Sequence, residues 1–459
     1  MVHRRDMSYS EVLAQHLAET KFADVPRSGI LAAKRSLIDT LGVALAARGA
    51  PGMDGILQCC EAANDKGAAT IWSNGLRTSA TTAAFANGAH VAALDFDSLH
   101  TSSSVHADMI VVPVVLAIAE RLNLTGESIL LGVALGNDLI CRLAGCTREN
   151  GGWFYSSLYG GMAAAAIAAT LSGATDRTIA NAIGLAFTNA GGTQQPASER
   201  TTAKRIQGAL ATLVGMTCAD LAIAGLDGPK RVLEGSFGLF NMYERGDASQ
   251  LDANLGILFE GENISYKLFP ICQCSHAAVE TVLRLRQRYR FTAREVTSIR
   301  VRVSAYMNRL VGSAFQPGAA AQIDAQFSLQ YCIAQALFSG RLGIAEIQPS
   351  VVCDPKVLAI ATKVRVEVDS GNSAKYVPIE LTVHLADGRV FQETATDFSG
   401  SPTQPLDDEQ IDGKFHLCLA TAGAPRRLAQ VLLDCLRHVE DGDAATLTSC
   451  VQACGRVAT

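Results

Sequence analysis

Within residues 93–113, ALDFDSLHTSSSVHADMIVVP, two aspartates two apart (Asp95 and Asp97) precede two histidines six apart (His100 and His106). The chain has only nine histidines, so this segment concentrates groups able to move protons. A carboxylate beside an imidazole fixes its tautomer and supports its charge, which is how a catalytic histidine is commonly held. The spacing limits what can carry the set. On a helix, residues two apart diverge by about 200° and residues six apart by about 240°, whereas on a strand Asp95 and Asp97 share a face. Thr101, Ser102, Ser103 and Ser104 between the histidines favour a loop. If the four groups act together, that loop lies over a pocket; the plainer reading is a solvated connection between helices.

Three cations could complete the pocket. Lys204 and Arg205 open TTAKRIQGALATLVGMTCADLAIAG, a predicted helix running from a Thr cap to Gly225. The Lys204 face continues through Gly208, Ala211 or Thr212, and Gly215. Such small residues suit close packing, with the ammonium directed to a pocket rather than to bulk water. A cation at a helix start opposes the helix dipole, and an anionic ligand would relieve that; an ordinary helix-start cation is the alternative. Lys267 lies in ISYKLFPICQCSHAAVE, with His276 nine residues later. A lysine in apolar sequence is more often a snorkelling surface residue, but clefts between domains are common ligand sites.

Together Lys204, Arg205 and Lys267 suit a small polycarboxylate. The histidines and aspartates suit proton transfer beside a carboxylate, with the cations stabilising enolate-like charge. No Gly-rich phosphate loop, nucleophile elbow or H-E-x-x-H motif occurs. Cys272 and Cys274 lack the nearby third cysteine of an Fe–S site.

The elements that must position these groups fall into two classes. From about Ser8 to Leu255 the pattern is helical, as in SGILAAKRSLIDTLGVALAARG, in VVPVVLAIAERLN and in GESILLGVALGNDLICRLAG. Near Tyr266 the character changes. TSIRVRVSAYM, TKVRVEVD and YVPIELTVHLADGRVFQE alternate with period two and include an Asp387-Gly388 hairpin signal. HAAVETVLRLRQRY and AQFSLQYCIAQALFSG are predicted helices interleaved with these strands. The expected fold is mainly α: a large all-helical domain over 1–265, completed by C-terminal helices in 396–459, and a smaller α+β lid domain over 266–395.

At 459 residues two domains are expected. Hydrophobic residues at 48% against 18% charged suit a large core and a buried subunit interface. A net charge of −5 argues against nucleic acid or an anionic membrane as the main partner. The thirteen cysteines include no Cys-x-x-Cys pair, which fits reduced thiols in the cytoplasm. The N-terminal MVHRRDMSYSEVL lacks a secretory apolar stretch. The run Met109–Ala119 is too short to span a bilayer, so a soluble cytoplasmic protein is expected.

In this order and over nearly the whole chain, four segments resemble the MmgE/PrpD family: ALDFDSLHTSSSVHADMIVVP, GGWFYSSLYGGMAAAAIA, AKRIQGALATLVG and YKLFPICQCSHAAVE. That family includes 2-methylcitrate dehydratases, cis-aconitate decarboxylases and iminodisuccinate epimerases. The resemblance implies a helical domain with an α+β lid, a homodimer and no metal or organic cofactor. It implies that Asp95 corresponds to the family's DFDD-like aspartate and His106 to the histidine seven before the proline. Lys204 matches the lysine of a KxxHxG-like motif, with Gln207-Gly208 in place of its histidine, and Lys267 the lysine of KxYPxC. Tyr306, in SAYMNRL, matches a substrate-contacting tyrosine. The His100–His106 spacing with KRIQ is most similar to fungal cis-aconitate decarboxylases. Phe154 stands where GWHP carries a histidine, so either Tyr155 or His100 supplies the proton, or the reaction differs, or this member has lost its chemistry.

On this reading Lys204 and Lys267 bind carboxylates, His106 shuttles the proton and Asp95 orients it. His100, Asp97, Arg205, Tyr155, His276 and Tyr306 contact the substrate. The implied activity is a lyase on a citrate- or aconitate-like acid, with decarboxylation ahead of dehydration. The alternatives are an epimerase or isomerase of a small dicarboxylate, and a ligand-binding member without catalysis.

Overall fold

Apolar residues at helical spacing build the first core. The computed structural model describes residues 7–147, 151–243 and 245–455; residues 1–6 of the N-terminal stretch read for a secretory signal lie outside them. The helices that matter for the site are α1 (Arg27–Ala46), α2 (Ala80–Ala93), α3 (Asp108–Leu122), α4 (Gly126–Gly145), α5 (Gly160–Leu171) and α6 (Ala203–Ile223). Between α3 and α4, Asn123 turns the chain in the left-handed region (φ 50°) and Thr125 caps α4 by accepting from the Ser128 amide. Both α4 and α6 are long and apolar enough to cross a membrane by length and composition alone. Here α4 is 83% buried inside the protein, while α6 is half buried.

The small face of α6 packs on α5 and α2. A Cβ at Gly215 would fall on Ala164 and on the Gly161 carbonyl, and one at Gly208 on Met109. Close approach, not flexibility, requires these glycines. Valine at 215 is therefore expected to destabilise the fold by about 1–3 kcal/mol through overpacking, read by denaturant unfolding. Unchanged stability would mean that α5 and α6 can separate freely. The predicted Thr cap is absent in one detail: Thr202 precedes α6 in helical conformation and makes no side-chain cap.

A second core gathers residues from 271 to 398, together with Ala197. Its sheet has strands β1 (Val296–Val303), β2 (Val364–Val368), β3 (Ile379–Leu385) and β4 (Val390–Ala395) in the order β2-β1-β3-β4. β1 runs parallel to β2 and antiparallel to β3, and β3–β4 is the antiparallel hairpin turned at Asp387-Gly388. Ile379, Leu381, Val383 and Leu385 all face the core, as period two requires. Helices α7 (His276–Tyr289) and α8 (Leu329–Ser339) cover the sheet. The predicted single helix AQFSLQYCIAQALFSG is broken at Phe327-Ser328, where Ser328 caps α8. After the sheet, α9 (Asp408–Thr421) returns to the first core and packs on α1.

The larger core is not purely helical. Ala69–Thr70 pairs with Arg77–Thr78, and Leu99–His100 pairs with Ile264–Ser265. The second pairing was hidden because two-residue strands carry no periodicity.

Candidate active site

The segment after α2 is a loop over a cleft. Asp95 takes the left-handed conformation (φ 49°) directly after the helix ends, a strained backbone that a surrounding network must hold. Three buried side chains do so. Gln326 Nε2 donates to the Leu94 carbonyl. Lys414 Nζ, from α9, donates to the Phe96 carbonyl at 2.8 Å and pairs with Asp39 at 2.6 Å. Ser98 Oγ donates to Asp108 at 2.6 Å. From the second core, Lys375 Nζ and the Tyr376 hydroxyl close onto Ser104 Oγ at 2.9 and 3.1 Å.

Asp95, His106, Lys204 and Lys267 line one cleft with Ser104, Phe154, Gln194, Cys272, Tyr306, Phe327 and Tyr376. Lys204 Nζ pairs with Asp95 Oδ1, and Lys267 Nζ lies 3.3 Å from Oδ2. Lys267 also donates to the Asp95 carbonyl at 2.8 Å. Both lysines are buried, 9% and 1% exposed. Burial opposes the charge of Asp95, but Lys204, Lys267 and His106 outweigh it and hold the carboxyl far below its ordinary range. Burial likewise opposes the Lys204 ammonium, and Asp95 with Asp97 raises it above the usual lysine value. Among the described residues, Asp95 is the only carboxylate on the cleft wall. Two cations share one anion, so the wall keeps a surplus positive charge inside a protein of net charge −5.

His106 is held by Asp97 rather than by Asp95. Its Nδ1 lies 2.7 Å from Asp97 Oδ2 and 3.0 Å from the Ser98 carbonyl. Both neighbours accept, so Nδ1 carries a proton and Nε2 is the atom left for exchange. Burial works against Asp97, yet the His106 charge and hydrogen bond hold its carboxyl low. The physical reason for the exchanged roles is the positive φ of Asp95, which turns that side chain to the lysines.

Other expected contacts lie elsewhere. Arg205 is buried but faces away from the cleft, donating to the Pro51 carbonyl at 2.7 Å and to Gln322 Oε1 at 2.8 Å. His276 is enclosed between Phe269 and Phe398, and burial pushes its imidazole down to about 3. His100 sits behind the loop against Ser103 at 2.6 Å and Glu260 at 3.5 Å. Tyr155 is buried edge-on against Tyr159. None of these four lines the cleft, nor does Asp97. Tyr306 does, edge-on to Tyr376. Phe154 also does, its ring 6.2 Å from that of His106, so the missing histidine is missing from the site itself.

Sequence reasoning overlooked Ser104, Gln194, Cys272, Phe327 and Tyr376 as cleft residues. Cys272 alone had a local signal, five residues after Lys267. Among the described residues, no three His, Cys, Asp or Glu side chains are grouped to hold a metal ion.

The MmgE/PrpD N-terminal domain matches residues 11–252 and its C-terminal domain residues 269–438. The chain belongs to the MmgE/PrpD family. The helices after Leu406 join the first core in space, although the C-terminal family match runs through most of them. Cis-aconitate decarboxylase of Mus musculus is 27% identical over 438 residues, covering 90% of this chain and 87% of its own. Cis-aconitate decarboxylase of Aspergillus terreus is 26% identical, covering 89% and 88%. 2-Methylcitrate dehydratase of Escherichia coli K12 is 24% identical over 290 residues, 59% of each chain. These relatives, a decarboxylase and a dehydratase, are lyases.

Proposed function

We propose that this MmgE/PrpD member is a lyase acting on a small aconitate- or citrate-like polycarboxylate, with decarboxylation the leading reaction. One observation carries the reading: two buried lysines share a single carboxylate beside a cleft-lining histidine whose Nδ1 is held by Asp97. Substrate carboxylates complete the charge that Asp95 leaves unbalanced. When CO2 leaves, the electron pair spreads onto an adjoining carboxylate, and Lys204 and Lys267 stabilise it there. His106 moves a proton at Nε2 while Asp97 supports the imidazolium. Leu99, Phe154, Leu310 and Phe327 give the wall an apolar portion, suited to a carboxylate that departs as neutral CO2. No resident cofactor is required for these steps.

Phe154 cannot protonate a leaving hydroxyl, which favours decarboxylation over dehydration. Phe154→His is expected to raise water loss from 2-methylcitrate relative to CO2 loss from cis-aconitate, measured side by side on both acids. An unchanged ratio would remove Phe154 as the discriminating residue. For the wild type, CO2 release from cis-aconitate supports the reading; inertness towards both acids overturns it.

The proposal extends to the assembly and its setting. The outer face of α6 exposes Leu210, Leu213, Leu221 and Ile223, which supports a homodimer. All thirteen cysteines are free, which suits the cytoplasm. The segment of the second core that clasps Ser104 would act as the lid.

A further inference from the structure

Return of a proton to carbon needs an acid, and the cleft offers few. Asp95 is held ionised by two lysines, and burial raises the Tyr306 and Tyr376 phenols above their ordinary value. His106 has one exchanging nitrogen. The Lys204 and Lys267 ammonium groups are engaged by Asp95, and Lys204 is held above its ordinary value, which leaves the thiols of Cys272 and Cys274, both on the cleft wall.

Resting on the lyase reading above, we propose that Cys272 is the catalytic acid that protonates carbon, with Cys274 as its positioning partner. A single residue ties the two halves of this arrangement. The Cys272 amide donates to the Gln326 carbonyl at 2.9 Å, while Gln326 Nε2 donates to the Leu94 carbonyl next to Asp95. Gln326 thereby fixes the thiol wall against the lysine–carboxylate floor. The Cys274 thiol has one proton and two alternative acceptors, the Lys375 carbonyl at 3.6 Å or the Cys272 sulfur.

The groups facing Cys272 are Cys274 on its own turn, Asp95, Lys204, Lys267, the Tyr306–Tyr376 pair, and Cys332 of α8. The hydrogen bond from Cys274 holds the Cys272 thiol below its ordinary value against the effect of burial, and Lys267 assists; Cys274 is pushed well above. A thiol lowered in this way is a better acid, and its anion lies near a cation.

The step balances as follows. The C–CO2 bond breaks, CO2 departs, and the electron pair collects on an oxygen of the adjoining carboxylate, which takes the His106 Nε2 proton. The Cys272 S–H bond then breaks as the C–H bond forms, and the oxygen returns its proton to His106. The thiolate regains one proton from water. No oxidant or reductant takes part.

The test uses the full chain with Cys272→Ala and Cys272→Ser. Both are expected to lower kcat for cis-aconitate by about 10²-fold with KM nearly unchanged. Serine preserves the volume, and circular dichroism reports whether each variant folds. Iodoacetamide should inactivate the wild type by alkylating Cys272, located by peptide mass spectrometry, and tricarballylate should protect. A folded variant with wild-type kcat, a change in KM alone, or full activity after alkylation at Cys272 each overturns the proposal while leaving the lyase reading standing. A wild type inert towards cis-aconitate, citrate and 2-methylcitrate overturns both.

Discussion

Alanine in place of His106 is expected to lower kcat by about 10²–10⁴-fold, the range for losing a positioned acid–base group. KM should change little, because the lysines that bind carboxylates lie on Asp95 and not on His106. The fold should survive as well. The imidazole is partly exposed to the cleft, and its backbone amide stays bonded to Ser156 Oγ at 2.8 Å. Steady-state kinetics beside a thermal melt separate these effects. Equal losses in stability and rate would recast His106 as a structural residue.

Asp95→Asn carries the largest expected effect on stability. Asparagine tolerates the left-handed φ of this position, so the substitution removes charge and leaves backbone geometry in place. Two buried ammonium groups would then face each other without their anion. Breaking a buried pair by removing one partner costs about 3–5 kcal/mol, and here one carboxylate serves two cations. A tricarboxylate such as tricarballylate should restore more stability to the variant than to the wild type, because it supplies the missing charge. The pH dependence has a definite sign. Asp95 and Asp97 are both held below the ordinary carboxylate range, so their stabilisation is complete above the unfolded value of about 3.9 and drains as pH falls below it. Asp95→Asn should flatten the acid limb of the stability curve. Wild-type stability in the variant, with no gain from tricarballylate, would show that the lysines are balanced elsewhere.

The site was legible where a pattern is local. The spacing of Asp95, Asp97, His100 and His106 suits no single helix face, and the structure has a loop there, with Leu99–His100 as a two-residue strand inside it. The small face of α6 pointed to close packing, and Gly208 and Gly215 supply it. Period-two alternation marked the four-stranded sheet because one face of each strand must be buried. Legibility ended where direction depends on three-dimensional context. Lys204 and Arg205 are adjacent in sequence, yet neighbouring helical residues point about 100° apart; one reaches the cleft and the other Pro51 and Gln322. Asp95 and Asp97 look interchangeable until a positive φ sends them to different partners. His276 opens α7 as a polar residue should, but Phe269 and Phe398 enclose its ring. Tyr376 and Lys414 reach the loop from 272 and 318 residues away along the chain, a relation no local pattern encodes.

The central claim is that this cleft moves protons on a small polycarboxylate. The most direct measurement is proton NMR of the purified protein in D2O with cis-aconitate, citrate and 2-methylcitrate, beside the His106→Ala variant. The account predicts loss of CO2 from cis-aconitate with one deuterium placed on the product carbon by the wild type, and neither change with the variant. Silence of the wild type towards all three acids, or equal turnover by the variant, would contradict it.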